Sequence, residues 1–349
     1  MSSLIDKYRR KIYFLTYYFM LSLTFCYLYY QKLIVKADYY SYDSSSAIYP
    51  VLDFTALKVL QYRMLVPFTF GFLKLFIPTS DNGIYFILVL AQTMIILYVF
   101  YRLLGEYFED RGINALIAPF ILYPMLWNYT ILNGQLFFVD FSLLIFILLG
   151  YYFIVKEKTM PLLFVLLLGC VNHDSVGFLI PMYVLYNYRR LFKGKIIVNI
   201  IAMVAIYAGV KFILSEVFVN SPGLSFRLNH IRNYTYSFEM PVHLVLRNIV
   251  LVFGGLHFFV LGSIRNGVWK RIPKERIMIN FTILPYIVII FFIHSIEEIR
   301  NYIAAMPFVL MPFLIYMSTL KGSFLKLKES KLIGSPETSA NATQKQMNQ

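Results

Sequence analysis

The chain has 349 residues, of which 59% are hydrophobic, 18% aromatic and only 14% charged. A soluble domain carries about 25% charged residues, so this chain has too little polar surface for a water-facing globule. A soluble enzyme, a disordered hub and a disulfide scaffold are therefore excluded, whereas the formal net charge of +14 keeps a nucleic-acid binder under consideration.

Long apolar segments predict an all-α, polytopic membrane protein. A bilayer core of roughly 30 Å is crossed by about 20 apolar helical residues, and by this rule we expect about ten transmembrane helices. The predicted spans cover residues 12–35, 84–103, 113–127, 136–155, 160–171, 176–188, 196–214, 244–264, 277–294 and 302–320. The fifth and sixth spans are short, so we expect tilted or partly re-entrant helices that meet at the sequence "NHDS", residues 172–175.

The distribution of basic residues predicts the orientation. Of 32 basic and 18 acidic residues, 22 basic but only 8 acidic ones lie in six segments, which are residues 1–11, 102–111, 156–158, 189–195, 265–276 and 321–349. Loops rich in Lys and Arg stay in the cytoplasm, so we place both termini there, in a multi-pass protein of the inner (plasma) membrane. The rest of the chain has no net charge, and this partition argues against nucleic-acid binding.

Residues 1–320 are predicted to form a single transmembrane domain, and the polar residues 321–349 a largely disordered cytoplasmic tail. The first outer loop contains a second apolar run, residues 59–78, which is interrupted by Arg63 and Lys74. A further span there would reverse every later loop. We therefore expect an amphipathic or re-entrant helix on the outer leaflet.

Carboxylates of the first outer loop are the candidate catalytic residues, namely Asp38, Asp43 and Asp53. A carboxylate at the membrane surface could accept a proton from a sugar hydroxyl, and Arg63 could hold a lipid-linked phosphate. The alternative is a solvated loop with ordinary interfacial side chains.

Two further candidates lie within the apolar segments. A lone carboxylate inside a span costs about 3 kcal/mol, so Asp140 should have a substrate or a partner such as Arg63 or Arg247. His173 and Asp174 stand between two apolar half-helices, where they could bind a divalent cation, act as base and partner, or contact substrate. No third metal ligand is visible, so the metal is unknown. The alternative is a structural polar turn.

Charged residues of the later outer segments complete the candidate set. Arg232 lies in the second large outer loop, and Glu297 and Arg300 stand at the entrance of the last span, where they could contact substrate or lipid phosphate. A structural ion pair between Glu297 and Arg300 is the alternative. We expect one outward-facing cavity to gather Asp38 or Asp43, Arg63, Asp140, His173, Asp174 and Arg300.

Several segments together resemble the integral-membrane GT-C-type glycosyltransferases, in particular uncharacterised bacterial members. These are a carboxylate-bearing first outer loop, "YRMLVPFTFGFLKLF", "FFVDFSLLIF", "VNHDSVGF" and "EEIRNYIAAMPF", and the likeness in layout covers most of residues 12–320. The resemblance implies transfer of a sugar from a polyprenyl-phosphate donor to an envelope glycan or lipid acceptor at the outer face, with inversion. It places the general base on Asp38 or Asp43. The chain lacks the adjacent Asp-Glu pair of many relatives.

Two other functions are compatible with the sequence. A transporter or flippase of lipid-linked saccharide would place charged residues through the depth of the membrane, whereas here they cluster toward the outer ends. A polysaccharide polymerase would use paired arginines in a large outer loop, a role open to Arg227 and Arg232.

Overall fold

The computed structural model describes residues 2–31, 48–131, 139–221, 252–259, 272–293, 299–320 and 322–328. Within these ranges every regular element is a helix, and the β-type pairing is an isolated bridge between Phe108 and Leu327. The α-helices are α1 (Ser2–Tyr29), α2 (Ile48–Leu52), α3 (Lys58–Gln61), α4 (Leu65–Phe76), α5 (Asp81–Tyr107), α6 (Arg111–Ile117), α7 (Leu122–Met125), α8 (Val139–Val155), α9 (Thr159–Cys170), α10 (Leu179–Tyr186), α11 (Gly194–Val217), α12 (Lys274–Met278), α13 (Ile283–Ile293) and α14 (Met306–Met317). Tighter 3-10 helices cover Ala118–Ile121, Asp174–Phe178, Tyr188–Arg190, Ile279–Thr282 and Ile299–Ala305, and a π-helical turn covers Leu126–Ile131.

Three of the described helices are long and apolar enough to cross a membrane, namely α1, α5 and α11. The 27 residues of α5 extend over about 40 Å, which exceeds the hydrocarbon core of a bilayer. Helix α11 exposes apolar side chains such as Val198, Ile201 and Phe212 on its surface. An exposed apolar surface of this extent suits contact with lipid, so the described architecture fits a helical membrane protein.

Helix α8 occupies the centre of the helix array. Apart from Asp140 and Ser142 near its start, its side chains are mostly apolar, and nearly all are buried. It packs against α5, α9, α10 and the 3-10 helix before α14. Glycines permit close approach at this core. A Cβ on Gly150 would stand 2.2 Å from the Leu179 side chain, and one on Gly169 would stand 2.6 Å from Val176. Small residues therefore set the helix spacing here.

The predicted pair of short helices around residues 172–175 is confirmed. Helix α9 ends at Cys170, and the following 3-10 helix starts at Asp174. Twelve residues of α9 span about 18 Å, too short for a regular crossing of the bilayer core. The second apolar run, residues 59–78, also contains a helix, α4, which exposes Phe72, Leu75 and Phe76.

Two predicted spans are less regular than the sequence rule assumed. Residues 113–127 change from α to 3-10 to α geometry and lead into the π turn, because Pro119 and Pro124 each remove a backbone donor. Residues 244–264 are described only at 252–259. There the backbone turns, with φ of 60° at Gly254 and 80° at Gly255, so this segment is not a continuous helix.

Loops rich in basic residues meet at one end of the helices. Lys156 pairs with Glu106 at 2.8 Å, and Arg190 pairs with Glu157 at 2.7 Å. Residues 322–328, the start of the predicted tail, pack against the same end through the bridge to α5. The opposite end of α5 carries a separate ion pair.

At that opposite end, Asp81 pairs with Lys74 of α4 at 2.8 Å. The loop between α2 and α3 reaches the end of α11, where Phe54 stacks on Phe218 with ring centroids 5.9 Å apart. The described parts of the first outer loop and the end of α11, which the sequence predicts to face outward, therefore share one end, away from the basic loops. We call this the outer end.

Candidate functional site

The candidate site is built around the turn between α9 and the 3-10 helix Asp174–Phe178. The Met64 N–H donates to the Val171 carbonyl at 3.0 Å, which places the segment that carries Arg63 directly beside this turn. His173 is buried in extended conformation, and its Nδ1 accepts a hydrogen bond from the Ser175 N–H at 3.1 Å. The histidine thus caps the helix that follows it.

Asp140 lies in the first turn of α8 and is only 3% exposed. The Tyr129 hydroxyl donates to Asp140 Oδ2 at 3.1 Å, and the Tyr129 ring contacts Phe141 edge-on with centroids 5.0 Å apart. A carboxylate near a helix N-terminus is favoured by the helix dipole. The hydrogen bond and the dipole together offset the burial of this charge.

Hydrogen bonds of Asn172 connect the turn after α9 to the start of α8. The Ser142 Oγ donates to Asn172 Oδ1 at 2.8 Å, and Asn172 Nδ2 donates to the Val139 carbonyl at 3.3 Å. From the other side, Tyr286 of α13 hydrogen-bonds the Ser175 side chain and lies near the charge of Asp140. Four segments therefore converge on one buried polar cluster, which we call the Asp140 cluster: Tyr129, Asp140, Asn172, His173, Ser175 and Tyr286.

Asp174 faces a different neighbour. Its carboxylate forms an ion pair with Lys211 of α11, and the Lys211 Nζ also donates to the Cys170 carbonyl at 3.0 Å. The lysine stands 5.7 Å from the centroid of the Tyr62 ring. Burial and, to a smaller extent, the Asp174 carboxylate raise the pKa of the Tyr62 phenol, which keeps this side chain neutral.

The His173 and Asp174 side chains thus have separate partners in the structure. His173 Nδ1 is occupied by a backbone N–H and Asp174 by a lysine, an arrangement that fits the structural alternative for this turn. The described residues contain no group of three His, Cys, Asp or Glu side chains that could hold a metal ion.

The other predicted site residues fall in three groups. Arg63 is half-buried beside the turn, and Asp53 is exposed in the turn after α2. Arg300 belongs to the 3-10 helix Ile299–Ala305, which packs against α8. The predicted positions outside the described residues are Asp38, Asp43, Arg232 and Glu297.

The structure adds residues that the sequence did not single out. Lys211 interrupts the apolar run "AIYAGVKFIL", and this interruption is a readable signal. Tyr129 and Tyr286 give no such signal, because the chain contains 29 tyrosines. Ser142 gives no signal of a site role either, because a serine within an apolar helix is common.

The π-helical turn before α8 carries two further buried polar side chains, those of Asn128 and Thr130, which differ from the cluster in having unsatisfied polar atoms. Within the described part of the chain, neither amide atom of Asn128 nor the hydroxyl of Thr130 has a hydrogen-bond partner. Asn128 is fully buried, and an unsatisfied buried polar group costs about 1–3 kcal/mol. Such groups indicate a place for water or a polar ligand.

No protein-family model, curated protein or solved structure matches the chain.

Proposed function

We propose that this protein is a multi-pass membrane glycosyltransferase of the GT-C type, with the ten transmembrane helices predicted from the sequence. It moves a sugar from a polyprenyl-phosphate donor to an envelope glycan or lipid acceptor at the outer face. The observation that carries the proposal is the buried Asp140 carboxylate, which Tyr129 holds at the outer end, away from the basic loops.

The chemistry of the Asp140 cluster suits a sugar. The carboxylate accepts hydrogen bonds, and the phenol, imidazole and hydroxyl groups can both donate and accept them, as recognition of a polyhydroxylated ring requires. Burying such groups inside a membrane protein costs free energy unless they contact partners or a ligand. In this proposal the cluster therefore binds the sugar. Asn128 and Thr130, which flank Tyr129 in the sequence, supply further polar contacts to it.

Arginines and first-loop carboxylates supply the remaining roles. Arg63, placed beside the turn at residues 171–173, would hold the lipid-linked phosphate, and Arg300 would assist from the 3-10 helix against α8. The general base would come from Asp38, Asp43 or Asp53. Arg232 and Glu297 would contact donor or acceptor from the outer loops.

The charge distribution supports the orientation. Basic loops cluster at one end of the helices, and such loops face the cytoplasm in inner (plasma) membrane proteins. The Asp140 cluster then lies toward the other side of the membrane, which is the face where the proposed sugar transfer takes place.

The test is a reconstituted assay with a panel of radiolabelled polyprenyl-phosphate sugars and membrane extract as the acceptor source. The proposal predicts that wild-type proteoliposomes move the label from the donor to a larger glycan or a different lipid. A label that stays on polyprenyl phosphate with every donor would contradict transferase activity.

A transporter or flippase is the second candidate, because the described backbone leaves helical geometry at 171–173 and forms turns at 252–256. Transporters use discontinuous helices to bind polar substrates at membrane depth. The same proteoliposomes separate the two functions. A flippase exposes the labelled headgroup on the opposite leaflet without releasing the sugar, whereas a transferase changes the molecule that carries the label.

A further inference from the structure

A polar pocket lies at the end that carries the basic loops. It has a volume of about 840 Å³ and is enclosed by α1, α5, the start of α6 and the chain after α14. Its charged lining side chains are Arg102, Glu106, Glu109, Arg111, Lys156 and Lys328. Because Lys156 neutralises Glu106, the remaining lining is positive.

Arg102 is the distinctive group of this pocket. Its guanidinium donates to the Tyr98 hydroxyl at 2.9 Å and to the Tyr152 hydroxyl at 3.0 Å, and it lies against both rings at 5.8 and 5.6 Å. No carboxylate in the described ranges forms an ion pair with it. Two tyrosine side chains therefore hold a full positive charge in a fixed position at the surface.

Apolar side chains adjoin the basic groups. Leu15 of α1 and Tyr98 of α5 line the pocket and are largely exposed, and Ile95 continues the exposed surface one turn further along α5. The pocket thus joins a cationic part at the helix end to an apolar surface along the helices. A molecule with an anionic head and a hydrocarbon chain matches both parts.

We propose that this pocket binds the headgroup of an anionic phospholipid, with Arg102 contacting the phosphate and the acyl chains lying along α1 and α5. This site is separate from the Asp140 cluster and does not depend on the function proposed for it. Basic pockets between helices at the cytoplasmic side of membranes commonly hold anionic headgroups.

The experiment measures lipid binding to the full-length protein in neutral detergent. Native mass spectrometry and thermal unfolding are followed while phosphatidylglycerol or phosphatidylcholine is added. We expect phosphatidylglycerol to bind more tightly and to raise the unfolding temperature more. Equal binding and equal stabilisation by the two lipids would overturn the proposal.

Variants locate the site. Arg102→Gln should weaken phosphatidylglycerol binding by about five-fold, as expected for one basic group near a membrane surface, and Arg102→Lys should weaken it less. The matched control is Arg189→Gln, which removes the same charge from a residue paired with Glu275 outside the pocket. It should leave lipid binding unchanged. Equal loss in both variants would mean that net charge alone attracts the lipid, which contradicts a defined site.

Two further arms keep the test decisive. If Arg102→Gln does not fold, Arg111→Gln probes the same pocket from an exposed position at the start of α6. Glycerol phosphate, which has the anionic group without acyl chains, should not compete at concentrations similar to the lipid. Competition by glycerol phosphate at equal concentration would assign the pocket to a soluble phosphate compound and reject the lipid.

Discussion

The Tyr129 hydroxyl donates a hydrogen bond to Asp140 across the junction between the π-helical turn and α8, and both side chains are buried. This bond stabilises a carboxylate at the outer end of an otherwise apolar helix. Burying a charge in the apolar interior costs free energy, and substrate binding is the function that we propose for it.

Removal of the phenol should destabilise the protein. Tyr129→Phe keeps the ring that packs on Phe141 but leaves Asp140 without this donor, so the free energy of unfolding should fall by about 1–3 kcal/mol. The measurement is unfolding in mixed micelles. The companion variant Tyr129→Phe with Asp140→Asn should recover part of the loss, because the buried group is then neutral. An unchanged stability of Tyr129→Phe would show that the bond contributes nothing.

The ion pair of Lys211 with Asp174 should have a measurable coupling energy. Both side chains are partly exposed, so we expect a double-mutant cycle of Lys211→Met and Asp174→Asn to give about 1 kcal/mol. If the sum of the single effects equals the double effect, the pair is not coupled. A much larger coupling would mean that the site is less accessible to water than the structure indicates.

A side chain at position 254 should destabilise the turn that Gly254 forms. Its φ of 60° disfavours other residues, and an added Cβ would stand 2.3 Å from the Tyr123 ring and 2.8 Å from Trp127. Gly254→Ala should lower stability by about 1–3 kcal/mol. Gly209→Ala is the matched control, since a Cβ on this residue of α11 meets nothing within 4 Å. The control should be neutral or slightly stabilising, and equal effects would refute the turn geometry.

Cysteine labelling tests the orientation. The two natural cysteines are buried, so single additions at exposed positions can be read directly. Asp53→Cys should react with an impermeant maleimide on intact cells, whereas Phe192→Cys, which is 96% exposed beside the basic loops, should react only after permeabilisation. The reverse pattern would invert the topology and place the Asp140 cluster at the cytoplasmic face.

The hydropathy of the sequence predicted most helix positions. It also predicted the break at residues 172–175, because four consecutive polar residues separate two apolar runs there. It did not anticipate the irregular backbone at Pro119, Pro124 and Gly254, where single residues override an apolar composition. The burial of Asp140 followed from its apolar neighbours. Its partner Tyr129 could not be predicted, since this contact depends on a π turn that no sequence pattern specifies.

The most direct test of the central claim compares sugar transfer by Asp140→Asn and Asp110→Asn in the reconstituted assay. Asp110 caps α6 at the end of the basic loops, and asparagine caps a helix as well as aspartate does, so this control should retain full activity. Asp140→Asn keeps the shape of the side chain but removes its charge, and transfer should fall by about 10²-fold or more while the protein stays folded. Full transfer by folded Asp140→Asn would contradict a substrate role for the Asp140 cluster.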